Sequence, residues 1–289
     1  MRNYVPLLIL LLTPLFIHVR QTFNGLTLPE SAVAYNGGYF VSGIGAKLAP
    51  VKDGDGVISH IGSDGKLVLK YFEDTLHAPS GLQLMNNILY VADLDHLKGY
   101  DVVTKKKVFD LNLEGKEGML NDVCRVNDSL LLTTDSFKGH VLMVNIFTGT
   151  YTVLKGNMAA PNGVCYDAAA DKVYVCAMGP NYDGAGKVYA KKLHDGNAAF
   201  EPLEGAPVGL LDGMILLDDH RLLISDWITL SNPTAGKLHV YDLNKKQYTT
   251  INTQRAPADI ALDAKQQVLL MPQMLDNLLR IIPLKEYGL

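Results

Sequence analysis

One phrase returns six times along this chain, always in the same register. It reads "LPESAVAY" at Glu30, "APSGLQLM" at Ser80, "MLNDVCRV" at Asn121, "APNGVCYD" at Asn162, "LLDGMILL" at Asp212 and "APADIALD" at Ala258. The intervals between these positions are 50, 41, 41, 50 and 46 residues. Each phrase opens on Pro or Leu, passes through a small or polar pair, and enters an apolar run. A second strand-like run follows each one: "GGYFVSG", "NILYVADL", "SLLLTTDS", "KVYVCAM", "RLLISDW" and "QVLLMPQ". A third follows in turn, among them "GHVLMVN", "GKLHVYDL" and "NLLRIIPL".

β-branched and aromatic residues alternate with polar ones in these runs, as half-buried strands require. Turn signals such as Asn86-Asn87, Asp64-Gly65, Asp195-Gly196 and Asp218-Asp219 separate them. No long amphipathic helical pattern competes. Units of 40–50 residues with several strands each are the period of a propeller blade. A pair of β-sandwiches would not return one phrase in one register. The expectation is an all-β chain, a six-bladed β-propeller filling residues 24–289.

The bulk numbers agree. The chain has 289 residues, 48% of them hydrophobic, which is ample for a large core. A formal net charge of -4, with no basic run longer than Lys105-Lys106-Lys107, argues against a nucleic-acid partner. A monomer acting on a small molecule is expected. Residues 1–22 differ from the rest: an early Arg2 precedes an apolar run from Val5 to Ile17, short for a membrane span and typical of a signal-peptide core. Export to a periplasmic or secreted location is expected, with an uncleaved N-terminal anchor as the only membrane contact. The three cysteines form no CxxC. Cys165 and Cys176 flank a hairpin with its turn near Ala170-Asp171. That would set them opposite each other, and two buried thiols are expected rather than a disulfide.

In a propeller the innermost strands line a central channel, so one register in every blade is one height around the axis. Four of the six register residues, Glu30, Asn121, Asn162 and Asp212, carry carboxylate or amide oxygens. Two carboxylates facing each other in a poorly solvated channel are costly unless a cation joins them. Hard oxygen ligands suit Ca2+, or another divalent cation such as Mg2+, Mn2+ or Zn2+. The competing reading is that Asn-Gly and Asp-Gly are turn dipeptides. It explains any one of them better than it explains four in register.

Through these residues the chain resembles the gluconolactonase, regucalcin and luciferin-regenerating family of six-bladed propellers. "PES" resembles that family's opening Glu, and "LND", "PNG" and "LDG" resemble its later metal-site phrases. Ala78-Pro79-Ser80-Gly81, "LYVADLDHL", "LISDW" and the closing "PADIALDAKQQVLLMPQMLDN" are similar to a bacterial subgroup. The resemblance implies that Glu30, Asn162 and Asp212 bind the divalent cation and that Asn121 lines the same site, as ligand or substrate contact. The pattern is also similar to that of diisopropyl fluorophosphatase and, more loosely, of paraoxonases, which implies a hydrolase of lactones or phosphoesters. One position departs from the sugar-lactonase pattern. Where that group has an Arg two residues before the Asn of the third repeat, in contact with the sugar, this chain has Met119.

Asp212 is the expected catalytic group, as general base on a water or as direct nucleophile. Further expected substrate contacts are His96 and Trp227. His77 and His96 are candidate proton shuttles near channel loops, against the simpler reading of each as a lone surface His. Trp227 either lines the pocket or packs between blades. Asp93, Asp135 and Asp226 share a second register, "YVAD", "LTTD" and "LISD", best explained by hydrogen bonds to backbone amides in the blade turns. "PVKDGDGVIS" resembles an EF-hand loop but lacks both essential acids, with Val51 and Gly62 in their places. "GPNYDGAGKVY" resembles a phosphate loop but has Val188 where magnesium needs Ser or Thr. Two functional readings remain: a calcium-dependent lactonase or esterase, and an exported propeller that binds a ligand or protein with a structural ion only.

Overall fold

Each repeated phrase becomes, or leads into, the innermost strand of a four-stranded antiparallel sheet, and six such sheets form a ring. The structure, a computed structural model, describes residues 20–289 apart from residues 117 and 155. The leader expected over residues 1–22 therefore lies almost wholly outside the described residues. Among the described residues no helix is long and apolar enough to cross a membrane. The only helices there are short 3-10 turns at Pro180–Tyr182, Met274–Asp276 and Leu284–Tyr287.

Blade 1 runs through Pro29–Tyr35, Gly38–Gly43, Val57–Ile61 and Leu67–Val68. Blade 2 opens with Pro79–Met85, blade 3 with Leu120–Arg125, blade 4 with Pro161–Asp167 and blade 5 with Leu211–Leu216. Blade 6 combines Ala261–Asp263, Val268–Gln273 and Leu278–Pro283 with the N-terminal strand Gln21–Asn24. Successive inner strands touch, and the inner strand of blade 6 touches that of blade 1, so the channel is closed all round. The ring is fastened by Gln21–Asn24 pairing antiparallel with Leu278–Pro283, Gln21 opposite Ile281. The propeller thus takes in Gln21 to Phe23, ahead of the boundary at residue 24 read from the sequence.

The core lies between blades. In the second strand of blade 2, Ile88–Asp93, Leu89 and Val91 pack toward blade 1. Tyr90 and Ala92, the alternate residues, pack toward blade 3. A strand covered on both faces reads as a continuous apolar run, and "NILYVADL" is one. The same two-faced packing joins every neighbouring pair of blades. A further cluster, including Ile44, Met178, Trp227 and Met274, sits at the mouth of the channel and draws on all parts of the ring.

Candidate functional site

In blades 1 to 5 the register residues reach the channel because the inner strand carries a bulge at that point. In blade 1, Pro29 pairs with Gly43 and pairing resumes at Ala32 with Val41, so one extra residue sits on the inner strand. The same shift falls between Pro79 and Leu82, Leu120 and Val123, Pro161 and Val164, and Leu211 and Met214. A bulge releases a residue from the ladder and re-aims its side chain. The released pairs are Glu30-Ser31, Ser80-Gly81, Asn121-Asp122, Asn162-Gly163 and Asp212-Gly213. Their first members line one cavity of about 220 Å³. Ser31 and Asp122, together with Asp259 of the sixth repeat, line a second cavity of about 280 Å³.

The Asn-Gly and Asp-Gly pairs are therefore not turns. Their glycines answer to close contact between neighbouring inner strands. A Cβ on Gly163 would stand 2.6 Å from the Asp212 carbonyl oxygen, and one on Gly213 would stand 2.4 Å from the Ile260 nitrogen.

Four oxygens from four blades converge on the first cavity without a hydrogen-bond partner: Glu30 Oε2, Asn121 Oδ1, Asn162 Oδ1 and Asp212 Oδ1. All four residues are at most 5% exposed. The amide nitrogens are engaged elsewhere: Asn121 Nδ2 donates to Ser136 Oγ at 3.2 Å, and Asn162 Nδ2 to Met178 Sδ at 3.3 Å. Ser136 Oγ in turn donates to the Pro161 carbonyl at 2.6 Å, tying blade 3 to blade 4. Buried oxygens left unpaired cost free energy, and these are of the hard type that a divalent cation collects. The four positions expected from the sequence are thus brought together, and their donor set fits a divalent cation.

The electrostatics state the same need. Burial pushes the Glu30 carboxyl well above the usual range, and Asp259, Asp212 and Asp122 add to the rise. Burial lifts Asp212 to about 7, against the opposing pull of the Trp227 indole N–H and the Asn162 amide. Burial lifts Asp122 to about 6 and pushes Asp259 well up. In the second cavity Asp122 is satisfied by the Val123 and Val164 amides at 2.6 and 2.7 Å, and Asp259 accepts from Ser31 Oγ at 2.6 Å. This second acidic layer was not read from the sequence, although Asp122 and Asp259 each directly follow a register position.

The strand-end aspartates hold the loops that lead into the site. Asp93 accepts from the His77 and Ala78 amides, Asp135 from Gly118 and Met119, and Asp226 from Leu210 and Ile228. Buried Lys98 closes on Asp93 at 2.7 Å and His239 on Asp226 at 3.1 Å. Met119 and Trp227 line the first cavity as expected. His96 does not: it sits at the start of strand His96–Asp101 with Nδ1 2.7 Å from Asp110 Oδ1. His77 is also absent from the cavity lining. Cys165 and Cys176 are buried free thiols, with Cys165 opposite Tyr174 rather than Cys176.

The upper walls come from loops that no repeat marked. Ile44 and Leu48 lead into the segment that resembled an EF-hand, and Pro50 opens it. Its Lys52 reaches Asp95 at 2.8 Å and Glu114 at 2.9 Å, pinning the segment across blade 2. Tyr182, from the stretch that resembled a phosphate loop, forms part of the opposite wall.

No family model and no curated protein matches the chain. Solved structures do. One is a protein of unknown function from Bacteroides thetaiotaomicron, with a TM-score of 0.67 at 14% identity over 89% of this chain and 70% of that one. Another is a gluconolactonase from Xanthomonas campestris, also with a TM-score of 0.67 at 14% identity, over 90% of this chain and 87% of that one. At this identity the likeness is one of fold: the chain is a six-bladed propeller, as is expected from the resemblance read in its sequence.

Proposed function

We propose that this protein is an exported, divalent-cation-dependent hydrolase of the gluconolactonase-like type, acting on a lactone or ester. The observation that carries the reading is the set of four unpartnered oxygens on Glu30, Asn121, Asn162 and Asp212. These residues would hold Ca2+, with solvent and substrate completing the shell from the cavity above. Bound there, the cation supplies Lewis-acid polarisation of a carbonyl or phosphoryl oxygen. Asp212 is the residue placed for the proton or the bond. As a base it takes a proton from the attacking water and returns it to the leaving oxygen. As a nucleophile it would attack the acyl carbon and expel the alkoxide, which takes a proton from water, and the mixed anhydride so formed is then cleaved by water. Asn121 and Asn162 fix the position of the reacting group, and the Trp227 N–H, buried and without a partner in the same cavity, is a donor for the substrate.

The gluconolactonase among the similar structures supports a hydrolase of the propeller type. The leader read over residues 1–22 supports export, where calcium sites bind at about 10⁻⁴–10⁻³ M. The test is turnover of a panel of lactones, aryl esters and phosphotriesters, with calcium and after chelation. The reading expects hydrolysis of at least one class that chelation abolishes and Asp212→Asn reduces by 100-fold or more, on the order of losing one oriented catalytic group. Turnover unaffected by both changes would overturn it. Cation binding without any turnover would favour the binding-protein reading.

A further inference from the structure

We infer that the substrate is a molecule with an apolar arm, such as an alkyl lactone or a small aryl ester, and not a polyhydroxylated sugar lactone; this rests on the hydrolase reading and narrows it. The polar groups of the first cavity are gathered at its floor, around the four oxygens. Above them the walls are mostly carbon and sulfur, with Leu48, Met119, Phe137, Met178, Leu230 and Met274 representative and Tyr182 and Trp227 each adding one polar group. Among the described residues, Glu30 and Asp212 are the only charged ones in the lining, and no Lys or Arg is among them.

A sugar lactone carries a hydroxyl on nearly every ring carbon. Each must exchange water for a protein partner or be buried unpaired, and thioether and alkyl walls provide no such partners. An alkyl or aryl arm meets the opposite situation: each methylene moved from water into such walls is worth about fourfold in affinity. Size agrees. An apolar cavity of about 150 Å³ accommodates a benzene ring. The 220 Å³ here takes one ring with a short extension. Longer arms have an exit along the rim, where Leu48, Phe137 and Leu230 are 42%, 60% and 38% exposed.

The chain has a single tryptophan, and it lines this cavity, so its fluorescence reports occupancy without turnover. The experiment titrates the calcium-loaded protein with two lactams that cannot be hydrolysed under the assay conditions, 6-pentylpiperidin-2-one and glucono-δ-lactam, while following Trp227 emission. The expected result is a saturable change with the alkyl lactam at a Kd at least tenfold below that of the polyol lactam. Leu230→Asp, a change at the exposed rim, is expected to weaken the alkyl lactam about tenfold. Equal or tighter binding of the polyol lactam overturns the inference, as does an alkyl lactam that leaves Trp227 unchanged. If the alkyl lactam binds while no ester or lactone is turned over, the hydrolase reading fails and the ligand class stands. If gluconolactone is turned over faster than δ-decalactone, the hydrolase reading stands and the ligand class fails.

Discussion

The side-chain amide of Asn121 donates to Ser136 Oγ at 3.2 Å, and Asn121 Oδ1 is left without a partner at the floor of the cavity. Ser136 spends its own proton on the Pro161 carbonyl, one residue before Asn162. One hydroxyl therefore fixes which way an amide of blade 3 points and anchors the strand that delivers the amide of blade 4. Partners of this kind set ligand orientation, and losing one costs 10–100-fold in metal affinity. Ser136→Ala is expected to weaken calcium binding about tenfold or more in calorimetry while the melting temperature shifts by only a few degrees. Unchanged affinity would remove Ser136 from the account.

The glycines that follow Ser80, Asn162 and Asp212 are read as spacers between inner strands. Gly163→Ala would drive a Cβ to 2.6 Å from the Asp212 carbonyl. Overpacking of this type costs about 1–3 kcal/mol. Because the displaced backbone is that of Asp212, calcium affinity should fall with stability. Gly196→Ala, where a Cβ meets nothing within 4 Å, is the control and should stay within about 0.5 kcal/mol of the parent. Denaturant melts of both variants check this. Equal stability of the two would contradict the spacer reading.

The channel carboxylates give the chelated protein an inverted pH dependence. Glu30, Asp122, Asp212 and Asp259 are all raised, Asp122 to about 6 and Asp212 to about 7. In the unfolded chain they titrate near 4. Between pH 5 and 7 these four groups bind more protons in the folded, metal-free state than in the unfolded one, so the stability they contribute falls as pH rises. His60, held down by burial, works the other way in part of this window, and His220, held up by Asp219, works with the four; the carboxylates held low by their partners, such as Asp74 and Asp226, act mainly below pH 5. Calcium should cancel the loss, and cation held at a hundredfold its Kd adds about 2.7 kcal/mol. Thermal melts in chelator are expected to drop by several degrees from pH 5 to pH 7.5, and the gain from added calcium to grow over the same range. Chelated protein that becomes more stable across that range would be against the four-carboxylate channel.

The fold was legible because a blade is a local unit. Pairs such as Leu132 with Met143 lie within one repeat, so turn residues and alternation specify them nearby in sequence. The floor of the site was legible for the same reason: Glu30, Asn121, Asn162 and Asp212 share a register. What failed depended on contacts between distant segments. Gln21–Asn24 closes the ring by pairing more than 250 residues away, and an edge strand of four residues has no pattern of its own. Leu48, Tyr182 and Leu230 stand in loops whose lengths differ from blade to blade. His96 was read toward the channel from its closeness to a strand end, whereas the hairpin between Asp93 and His96 carries it to Asp110. Asp259 was overlooked because the register was read on Ala258, one residue earlier. Once a bulge releases two residues, both must be read: the first for one cavity, the second for the other.

The central claim is that four oxygens from four blades hold one divalent cation. Titration calorimetry of calcium into the chelated and dialysed protein, beside Glu30→Gln and Asp212→Asn, tests it most directly. The account predicts a binding site in the parent chain that is lost in both variants, each of them still folded by circular dichroism. Binding that survives in both variants, or no binding of any divalent cation to the parent, would contradict it.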